Sequence, residues 1–280
     1  MFGKCLNNVR VQAPLIHNIT NYVTINDVAN ILLACGASPI MADEAAEVEE
    51  ITSICRGLNI NMGKLNHHTI PSMLLAGRKA CELGHAVLLD PVGAGASRFR
   101  LETAEFLMKE IQFTAIRGNI SEIKTLLRGF GSSKGVDADT ADALTGSNLK
   151  EMTDSLKSFS RETGSIIAVT GNIDLVCDSS TCYVIENGRP EMEKITGTGC
   201  QLSGLMAAFL AANPDNQLEA AAAAVAAMGL AGEIGWSYMK PGDGNATYRN
   251  RIIDAIYNMT GESLEHGARY HISGESIIGK

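Results

Sequence analysis

The chain has 280 residues, of which 45% are hydrophobic, and this content is ample for one large hydrophobic core. Its formal net charge of −8 disfavours nucleic acid as a partner. The seven cysteines include no CxxC pair, which argues against a zinc site and predicts free thiols in a reducing cytoplasm.

No membrane segment is expected. The N-terminal residues Met1–Lys4 lack the apolar stretch of a signal peptide. The alanine-rich run Ala220–Ala231 contains Gly229 and is followed by Gly232 and Glu233, so it predicts a buried helix and not a membrane span.

Short apolar runs alternate with helical patterns along nearly the whole chain. The predicted strands are Leu58–Met62, Ala86–Leu89, Thr114–Ile116, Ile166–Val169, Leu175–Cys177 and Cys182–Glu186. The predicted helices are Asn26–Cys35, Ile70–Leu83, Leu101–Ile111, Ser147–Glu162, Gln201–Ala212, Leu218–Trp236 and Tyr248–Met259. Continuous apolar strands between helices predict an α/β fold in one domain, residues 1–280, with a mostly parallel central sheet and helices on both faces.

Two stretches depart from this alternation. Asp174–Glu193 has two short strands around polar turns, which predicts an antiparallel hairpin at the edge of the sheet. Gly129–Gly135 is rich in glycine and serine and predicts a mobile loop within the domain.

The first polar cluster, His17–Tyr22, comes directly after an apolar pair. Within it Asn21 could hydrogen-bond a small polar heterocycle, or the segment could be a helix cap with a satisfied histidine. Met41, further along, could line a substrate pocket, although a single methionine is more often part of a core.

Polar residues recur where predicted strands end. Asp90 begins the sequence Asp-Pro-Val-Gly-Ala-Gly and could hold Mg²⁺ or cap a loop. Arg117 could reach a nucleotide phosphate or pair with a carboxylate, and Glu122 could hold a hydrated Mg²⁺ or belong to a capped helix start. Thr170 could contact phosphate or form a turn. Because ligands of open α/β sheets bind at the carboxyl ends of strands, their convergence predicts a site.

The stretch Ile195–Gly204 reads Ile-Thr-Gly-Thr-Gly-Cys-Gln-Leu-Ser-Gly and leads into an apolar helix. Free backbone amides and the positive end of a helix dipole would meet there, which is typical of a phosphate site. Cys200 would lie in the first helical turn, a setting that lowers a thiol pKa and favours a functional thiol over a buried one.

Seven segments, HNITNYV, ASPIMA, DPVGAGAS, RGNISEI, KGVD, VTG and ITGTGCQLSG, stand in an order and at spacings that resemble the hydroxyethylthiazole kinases, a family of the ribokinase-like superfamily. The resemblance extends from about Leu15 to about Met259. It implies ATP-dependent phosphorylation of the primary hydroxyl of 4-methyl-5-(2-hydroxyethyl)thiazole, for thiamine phosphate synthesis by salvage. It also implies a homotrimer with sites between subunits, in which Asn21 and Met41 could serve the site of a neighbouring subunit.

The resemblance assigns roles to individual positions. The residues that would contact ATP are Arg117 and Thr170, those near Mg²⁺ are Asp90 and Glu122, and those that would contact the thiazole are Asn21, Met41 and Gly197. Cys200 matches the base position, where other ribokinase relatives usually have aspartate. The resemblance implies no role for the tail after Gly261.

Three other functions stay open at this point. A dehydratase that repairs hydrated nicotinamide cofactors has a similar glycine-rich rim, but it carries aspartate at the position of Cys200 and lacks the HNITN segment. A ligand-binding regulator would bind without turning over ATP, which the set of Asp90, Glu122 and Cys200 speaks against. A thiol redox enzyme would need a resolving cysteine, and no CxxC arrangement supplies one.

Overall fold

A computed structural model describes residues 1–129 and 148–274. All but the first residue of the predicted loop Gly129–Gly135 lies outside the described residues, as does the KGVD motif. Ser147, the predicted first residue of a helix, also lies outside them.

Nine strands of the described residues form one sheet in the order β2-β1-β3-β4-β5-β6-β7-β8-β9. They are β1 (Leu15–Ile19), β2 (Ser38–Met41), β3 (Gly57–Asn61), β4 (Ala86–Asp90), β5 (Ala115–Asn119), β6 (Ile166–Thr170), β7 (Asp174–Cys177), β8 (Cys182–Ile185) and β9 (Tyr270–Ile272). The six strands β1 to β6 are parallel to one another. Strands β7, β8 and β9 each pair antiparallel with the strand before them in the sheet. The predicted mostly parallel sheet is confirmed.

The predicted antiparallel hairpin is β7 and β8, but it is not the edge of the sheet. The short strand β9 pairs with β8, with Tyr183 opposite Ile272, and takes the edge position. A three-residue strand in a polar tail has too few residues for a hydrophobic alternation to reveal it. At the other edge lies β2, which pairs only with β1 within the described residues.

Eleven α-helices lie in the described residues. They are α1 (Phe2–Gln12), α2 (Ile25–Cys35), α3 (Val48–Ile54), α4 (Thr69–Glu82), α5 (Arg98–Glu110), α6 (Ile120–Gly129), α7 (Leu149–Thr163), α8 (Thr198–Ala212), α9 (Gln217–Ser237), α10 (Asn245–Asn258) and α11 (Gly261–Gly267). Helices α8 and α9 pack on one face of the sheet, with α1, α2 and α10 against them, while α3, α4, α6 and α7 pack on the other. Each face has its own hydrophobic core, which confirms the predicted layers.

Helix α9, with the short turn before it, is the one described helix that is long and apolar enough to cross a membrane (Pro214–Ser237). Its most apolar window is 78% buried inside the fold, and the central helix of a folded core passes the same test. The burial agrees with the predicted buried helix.

The expectation that all cysteines are free thiols is wrong for one pair. Cys177 and Cys182 form a disulfide between directly opposed residues of β7 and β8. The pairing brings their β-carbons together across the hairpin, which a sequence without a CxxC spacing does not indicate. Cys200 and the other described cysteines are free.

Candidate active site

The order in which successive strands are added to the sheet reverses at β1, because β2 lies on one side of it and β3 on the other. Such a point leaves a crevice at the carboxyl ends of the strands. Helix α8 packs against β1, β3 and β4 and begins above this crevice. As a result Asn21, Asn61, Asp90 and Cys200, which come from four parts of the chain, form one buried hydrogen-bonded cluster.

Asn61, the last residue of β3, lies at the centre of this cluster. Its Oδ1 accepts hydrogen bonds from Nδ2 of Asn21 at 3.0 Å and from the Gly63 amide at 2.8 Å. Its Nδ2 donates to Oδ2 of Asp90 at 2.7 Å and to the sulfur of Cys200 at 3.2 Å. A backbone N–H can only donate, so the Gly63 contact fixes which end of the amide faces the sulfur.

Cys200 is the third residue of α8, in the first turn as predicted. Gly197 precedes the helix with φ of 89°, in the left-handed region that favours glycine, and no side chain caps the helix. The first amides of an α-helix have no acceptor within the helix. The amides of Thr198 to Cys200 therefore form a donor surface for an anion beside the thiol.

The guanidinium of Arg117 lies between the buried cluster and the end of β6. Its Nη2 donates to the hydroxyl of Thr170 at 2.6 Å, and its Nη1 lies 3.6 Å from Oδ2 of Asp90. It also lies directly against the start of α8: a Cβ on Gly199 would come within 2.7 Å of Nη1. Arg117 is thus a buried cation at the same helix terminus as the free amides.

Asp90 ends β4 and is fully buried. Its Oδ2 accepts hydrogen bonds from Asn61 and from the Ser203 hydroxyl at 2.8 Å, whereas its buried Oδ1 has no hydrogen-bond partner among the described residues. Burial raises the pKa of Asp90 to about 6, although the Arg117 guanidinium opposes this rise. An unpartnered buried carboxylate oxygen is costly unless a ligand or water satisfies it.

The thiol of Cys200 is buried and accepts hydrogen bonds from Asn61 and from Nδ2 of Asn21 at 3.3 Å. Burial and the negative charge of Asp90 raise its pKa above the usual value. The expectation that the helix terminus lowers this pKa is therefore wrong. Desolvation and a nearby carboxylate both disfavour a thiolate, and they outweigh the dipole and the two amide donors.

Glu122, in the first turn of α6, binds two loops together. Its Oε1 accepts from the Gly93 amide and its Oε2 from the Asn119 amide, each at 2.8 Å, while Asn119 Oδ1 accepts from the Glu122 amide at 2.9 Å. This reciprocal pair is the capped helix start that was one of the two interpretations of the sequence. The carboxylate still lies near enough to Asp90 to oppose its ionisation.

Two other predicted features, Met41 and His17, have no hydrogen bond to this cluster among the described contacts. Met41 is half-buried on the edge strand β2, opposite Asn18, and packs against the core. His17 is buried, with Nδ1 at 2.9 Å from the Thr52 hydroxyl and Nε2 at 2.9 Å from the Ala42 carbonyl, so it is the satisfied histidine of the alternative interpretation.

A cleft of about 720 Å³ opens beside Arg117. Its lining includes Arg117, Thr170, Gly199, Asp174 and, further along, the segment after β8. Asp174 is buried and its Oδ1 accepts from the Gly171 amide at 2.9 Å, and burial raises its pKa to about 7. The cleft has the size of a small-molecule site and ends at the cation and the free helix amides.

Comparison with known proteins decides the family. The model of the hydroxyethylthiazole kinase family matches residues 6–262. The chain belongs to this family. A relative from Clostridium acetobutylicum named hydroxyethylthiazole kinase is 57% identical over 270 residues, which cover 96% of this chain and 99% of the relative.

Solved structures agree with the family assignment. The hydroxyethylthiazole kinase protein of Pyrococcus horikoshii OT3 superposes with a TM-score of 0.86 at 31% identity, covering 97% of this chain and 98% of that one. A pyridoxal kinase from Staphylococcus aureus in complex with ADP superposes with a TM-score of 0.62 at 14% identity, covering 92% and 97% of the two chains, and shows the fold alone. The predicted family, kinase class and ribokinase-like fold are confirmed.

Sequence reasoning missed three side chains that shape the candidate site. Asn61, Ser203 and Asp174 are buried and contact or line the site. Asn61 had a recognisable signal, since it is a polar residue at the end of a buried strand, like Asp90. Ser203 lies inside an apolar helix and Asp174 begins a hairpin strand, positions where such residues commonly serve structure alone.

Proposed function

We propose that this chain transfers the γ-phosphoryl group of ATP to the primary hydroxyl of 4-methyl-5-(2-hydroxyethyl)thiazole, and that the product enters thiamine phosphate synthesis by salvage. The observation that carries the proposal is the meeting of the uncapped start of α8, the cation Arg117 and the buried pair Asp90 and Cys200 at one edge of the sheet. Donors and a cation around one point suit the charge of a transferring phosphoryl group.

ATP would occupy the cleft with its phosphates toward Arg117. The guanidinium and the Thr170 hydroxyl, 2.6 Å apart, would contact the phosphate oxygens together with the Gly199 amide. The bulk of a side chain at Gly199 would displace this guanidinium, so the glycine keeps the cation at the helix terminus. These contacts would hold the phosphate chain in line with the acceptor oxygen.

Mg²⁺ fits the donor set beside the cleft. Asp90 offers the buried, unpartnered Oδ1, and Mg²⁺ in phosphotransfer sites is commonly held by one or two carboxylates, waters and the substrate phosphates. Glu122 would act through water, because both of its oxygens accept backbone amides. The bound ion would neutralise charge on the β- and γ-phosphates.

The acceptor alcohol would lie between the start of α8 and the loop after β1. Asn21 and Gly197 border this space, and Cys200 would hold or accept the proton of the hydroxyl. Since the thiol pKa is raised, the protonated form prevails at neutral pH, and the thiol would mainly orient the hydroxyl. Positioning and charge stabilisation would then provide most of the catalysis.

Met41 would serve the site of a neighbouring subunit in a homotrimer. Its strand β2 is at the open edge of the sheet, and Tyr22 and Val23, in the loop after β1, are 56% and 72% exposed. Exposed aromatic and apolar side chains beside an edge strand suit contact with a second copy. We further propose one kinase domain over residues 1–280, supported by the single sheet, and a cytoplasmic location, where ATP is available.

A coupled assay of ADP release, with and without the thiazole alcohol, tests the function. We expect ADP release that depends on the thiazole alcohol and on Mg²⁺, with the phosphorylated thiazole detected by mass spectrometry. ADP release driven instead by a hydrated nicotinamide cofactor would indicate the repair dehydratase. Binding of ATP and thiazole without turnover would indicate a regulator. Asp90→Asn is the inactive control, and Asp154→Asn, on the exposed face of α7, is the active one.

A further inference from the structure

The C-terminal part of the chain hydrogen-bonds to residues that form one wall of the cleft. Asn187, Gly188 and Arg189 follow β8 and line the cleft. Asn187 is buried: its Nδ2 donates to the Gly267 carbonyl at 3.0 Å, and its Oδ1 accepts from the Arg269 amide at 2.7 Å. The main chain of the C-terminal segment therefore fixes the side chain of Asn187.

A second set of contacts holds Gly188. The Gly188 amide donates to Oε1 of Glu233, on α9, at 2.7 Å. Arg269 binds the same carboxylate through two nitrogens, at 2.7 Å and 2.9 Å, and its Nη2 also donates to the Glu186 carbonyl at 2.7 Å. Although burial opposes it, the hydrogen bonds from Arg269 and Gly188 hold the pKa of Glu233 below its usual value. The carboxylate is thus charged at neutral pH and joins three parts of the chain.

These contacts come from a segment beyond the family pattern. The match to the family model ends at residue 262, whereas Arg269 directly precedes the edge strand β9. The Glu186 amide donates to the Arg269 carbonyl at 2.9 Å, so the segment continues the sheet pairing of β8 up to the cleft wall. The tail, for which the sequence indicated no role, therefore contacts residues that line the cleft, while Arg269 itself is not among the lining residues.

Arg117 and Gly199 line the same cleft as this wall. Asn187 and Gly188 pack directly against Gly229 of α9, and Val225 and Met228 of the same helix also line the cleft. An apolar lining of this kind suits a purine ring. With the phosphates at Arg117, as proposed above, the nucleoside end of ATP would extend to the rest of the lining, which includes this wall.

We propose, on the basis of the proposed function, that Arg269 and Glu233 are a pair of positioning residues for the nucleotide. They fix the segment Asn187–Arg189 against α9, so that the nucleoside end of the cleft is formed before ATP binds. Preformed walls improve affinity because less ordering is needed on binding. The acceptor side of the site, at Asn21 and Cys200, does not depend on the pair.

A tryptophan beside this wall can report its movement by fluorescence. Trp236 is its single tryptophan, and the guanidinium of Arg189 lies 5.1 Å from the centre of its ring. Movement of Arg189 would change the surroundings of the indole. Fluorescence of Trp236 can therefore report binding of ADP independently of turnover.

The test compares Arg269→Ala, Arg269→Lys and Glu233→Gln with the wild type. For Arg269→Ala we expect the Kd for ADP and the KM for ATP to rise about fivefold, while the KM for the thiazole alcohol and kcat stay within about twofold. Arg269→Lys keeps the charge but not the paired hydrogen bonds, so its effect should be smaller. Arg78→Ala, which removes the surface pair with Glu110, is the matched control and should change neither the Kd for ADP nor any of the kinetic constants.

Two results would overturn the proposal. One is an unchanged Kd for ADP in Arg269→Ala with the melting temperature of the wild type. The other is an equal rise in the KM for both substrates. If Arg269→Ala does not fold, the same criteria apply to Arg269→Lys and Glu233→Gln. A wild type that binds ADP but phosphorylates no thiazole alcohol would contradict the proposed function, whereas the effect of Arg269 on ADP binding would still be measured.

Discussion

Nδ2 of Asn61 lies 3.2 Å from the sulfur of Cys200, and both side chains are buried where β3 meets the start of α8. The same nitrogen donates to Asp90 at 2.7 Å. One amide group therefore couples the residue proposed to orient the acceptor hydroxyl to the residue proposed to hold Mg²⁺. A change in the position of Asn61 would move both at once.

Replacing Asn61 tests this coupling. We expect Asn61→Ala to lower kcat about 10- to 100-fold with little change in the KM for ATP, because misplacement of reacting groups by about 1 Å costs this much. Asn61→Asp should be worse, since a second carboxylate would face Asp90. Steady-state kinetics give both constants. Asn59→Ala is the matched control: Asn59 is buried on the same strand but donates to Asn18 at 3.0 Å. Equal losses of kcat in the two alanine variants would contradict the role of Asn61.

Cys200 should contribute less than a base with a favourable pKa. Its raised pKa leaves a neutral thiol at pH 7, so Cys200→Ala should retain turnover, with a loss near the low end of the usual ~10²–10⁴-fold range. If the thiolate acts as base, the wild-type rate should rise with pH above neutrality, and this rise should be absent in Cys200→Ala.

Cys200→Asp should be active, because a carboxyl group ionises far more readily than a thiol in the same surroundings and the amides of Asn21 and Asn61 can donate to it. Rates from pH 6 to pH 9.5 separate these cases. Cys55→Ala, at a buried free thiol, controls for removal of a thiol elsewhere. A folded but inactive Asp variant would contradict the proposed role of Cys200.

The sequence predicted the location of the site better than its electrostatics. Asp90 and Thr170 could be placed at one rim because carboxyl ends of parallel strands meet at one edge of a sheet. Arg117 was expected after its strand but lies inside β5, since polar strand ends make boundaries ambiguous. The pKa of Cys200 could not be predicted, because it depends on burial and on Asp90, 110 positions earlier in the chain.

Contacts from the chain ends were also outside the reach of sequence patterns. The short helix α1 and the strand β9 have mixed polar composition, and both depend on tertiary packing, for example Phe2 stacked on Tyr270 with ring centres 4.3 Å apart. Strands β3 to β6 and helices α2, α4, α5 and α7 to α10 were predicted within a few residues, since each is a continuous apolar run or a strong helical pattern. The parallel strands β1 and β2 and the short helices α3 and α6 were not among the predicted elements, because each is brief and carries polar residues.

Arg100, on α5, should be a further positioning residue. Its guanidinium donates to the carbonyls of Met62, Gly63 and Val92 at 2.6 Å, 3.0 Å and 2.7 Å, and so joins the loop after Asn61 to the loop after Asp90. Only the planar, five-donor guanidinium can hold carbonyls in this arrangement.

We expect both Arg100→Lys and Arg100→Met to lower kcat, by about tenfold for the methionine variant, because the two loops would lose their common anchor. Kinetics and calorimetric melting give the measurement. Arg98→Met is the control, since Arg98 is exposed and pairs only with Glu102 on the same helix among the described contacts. An Arg100→Met enzyme with wild-type kcat would show that the loops hold their positions without it.

Asp174 predicts a pH dependence of stability. Burial raises its pKa in the folded chain to about 7, against about 3.9 in an unfolded chain. Between these values the folded state binds more protons than the unfolded state, so the free energy of unfolding should fall as the pH rises from about 4 to about 7. Asp174→Asn cannot ionise, and its Oδ1 can still accept from the Gly171 amide.

Urea unfolding at pH 4.5 and pH 7.5 measures this difference. The fall in free energy of unfolding should be smaller in Asp174→Asn than in the wild type, although Asp90, with its pKa raised to about 6, contributes a change of the same sign in both. Asp154→Asn removes a carboxylate from an exposed position on α7 and should leave the wild-type fall unchanged. If the two variants gave the same pH dependence, the buried carboxyl of Asp174 would have to be ionised throughout this range in the folded chain.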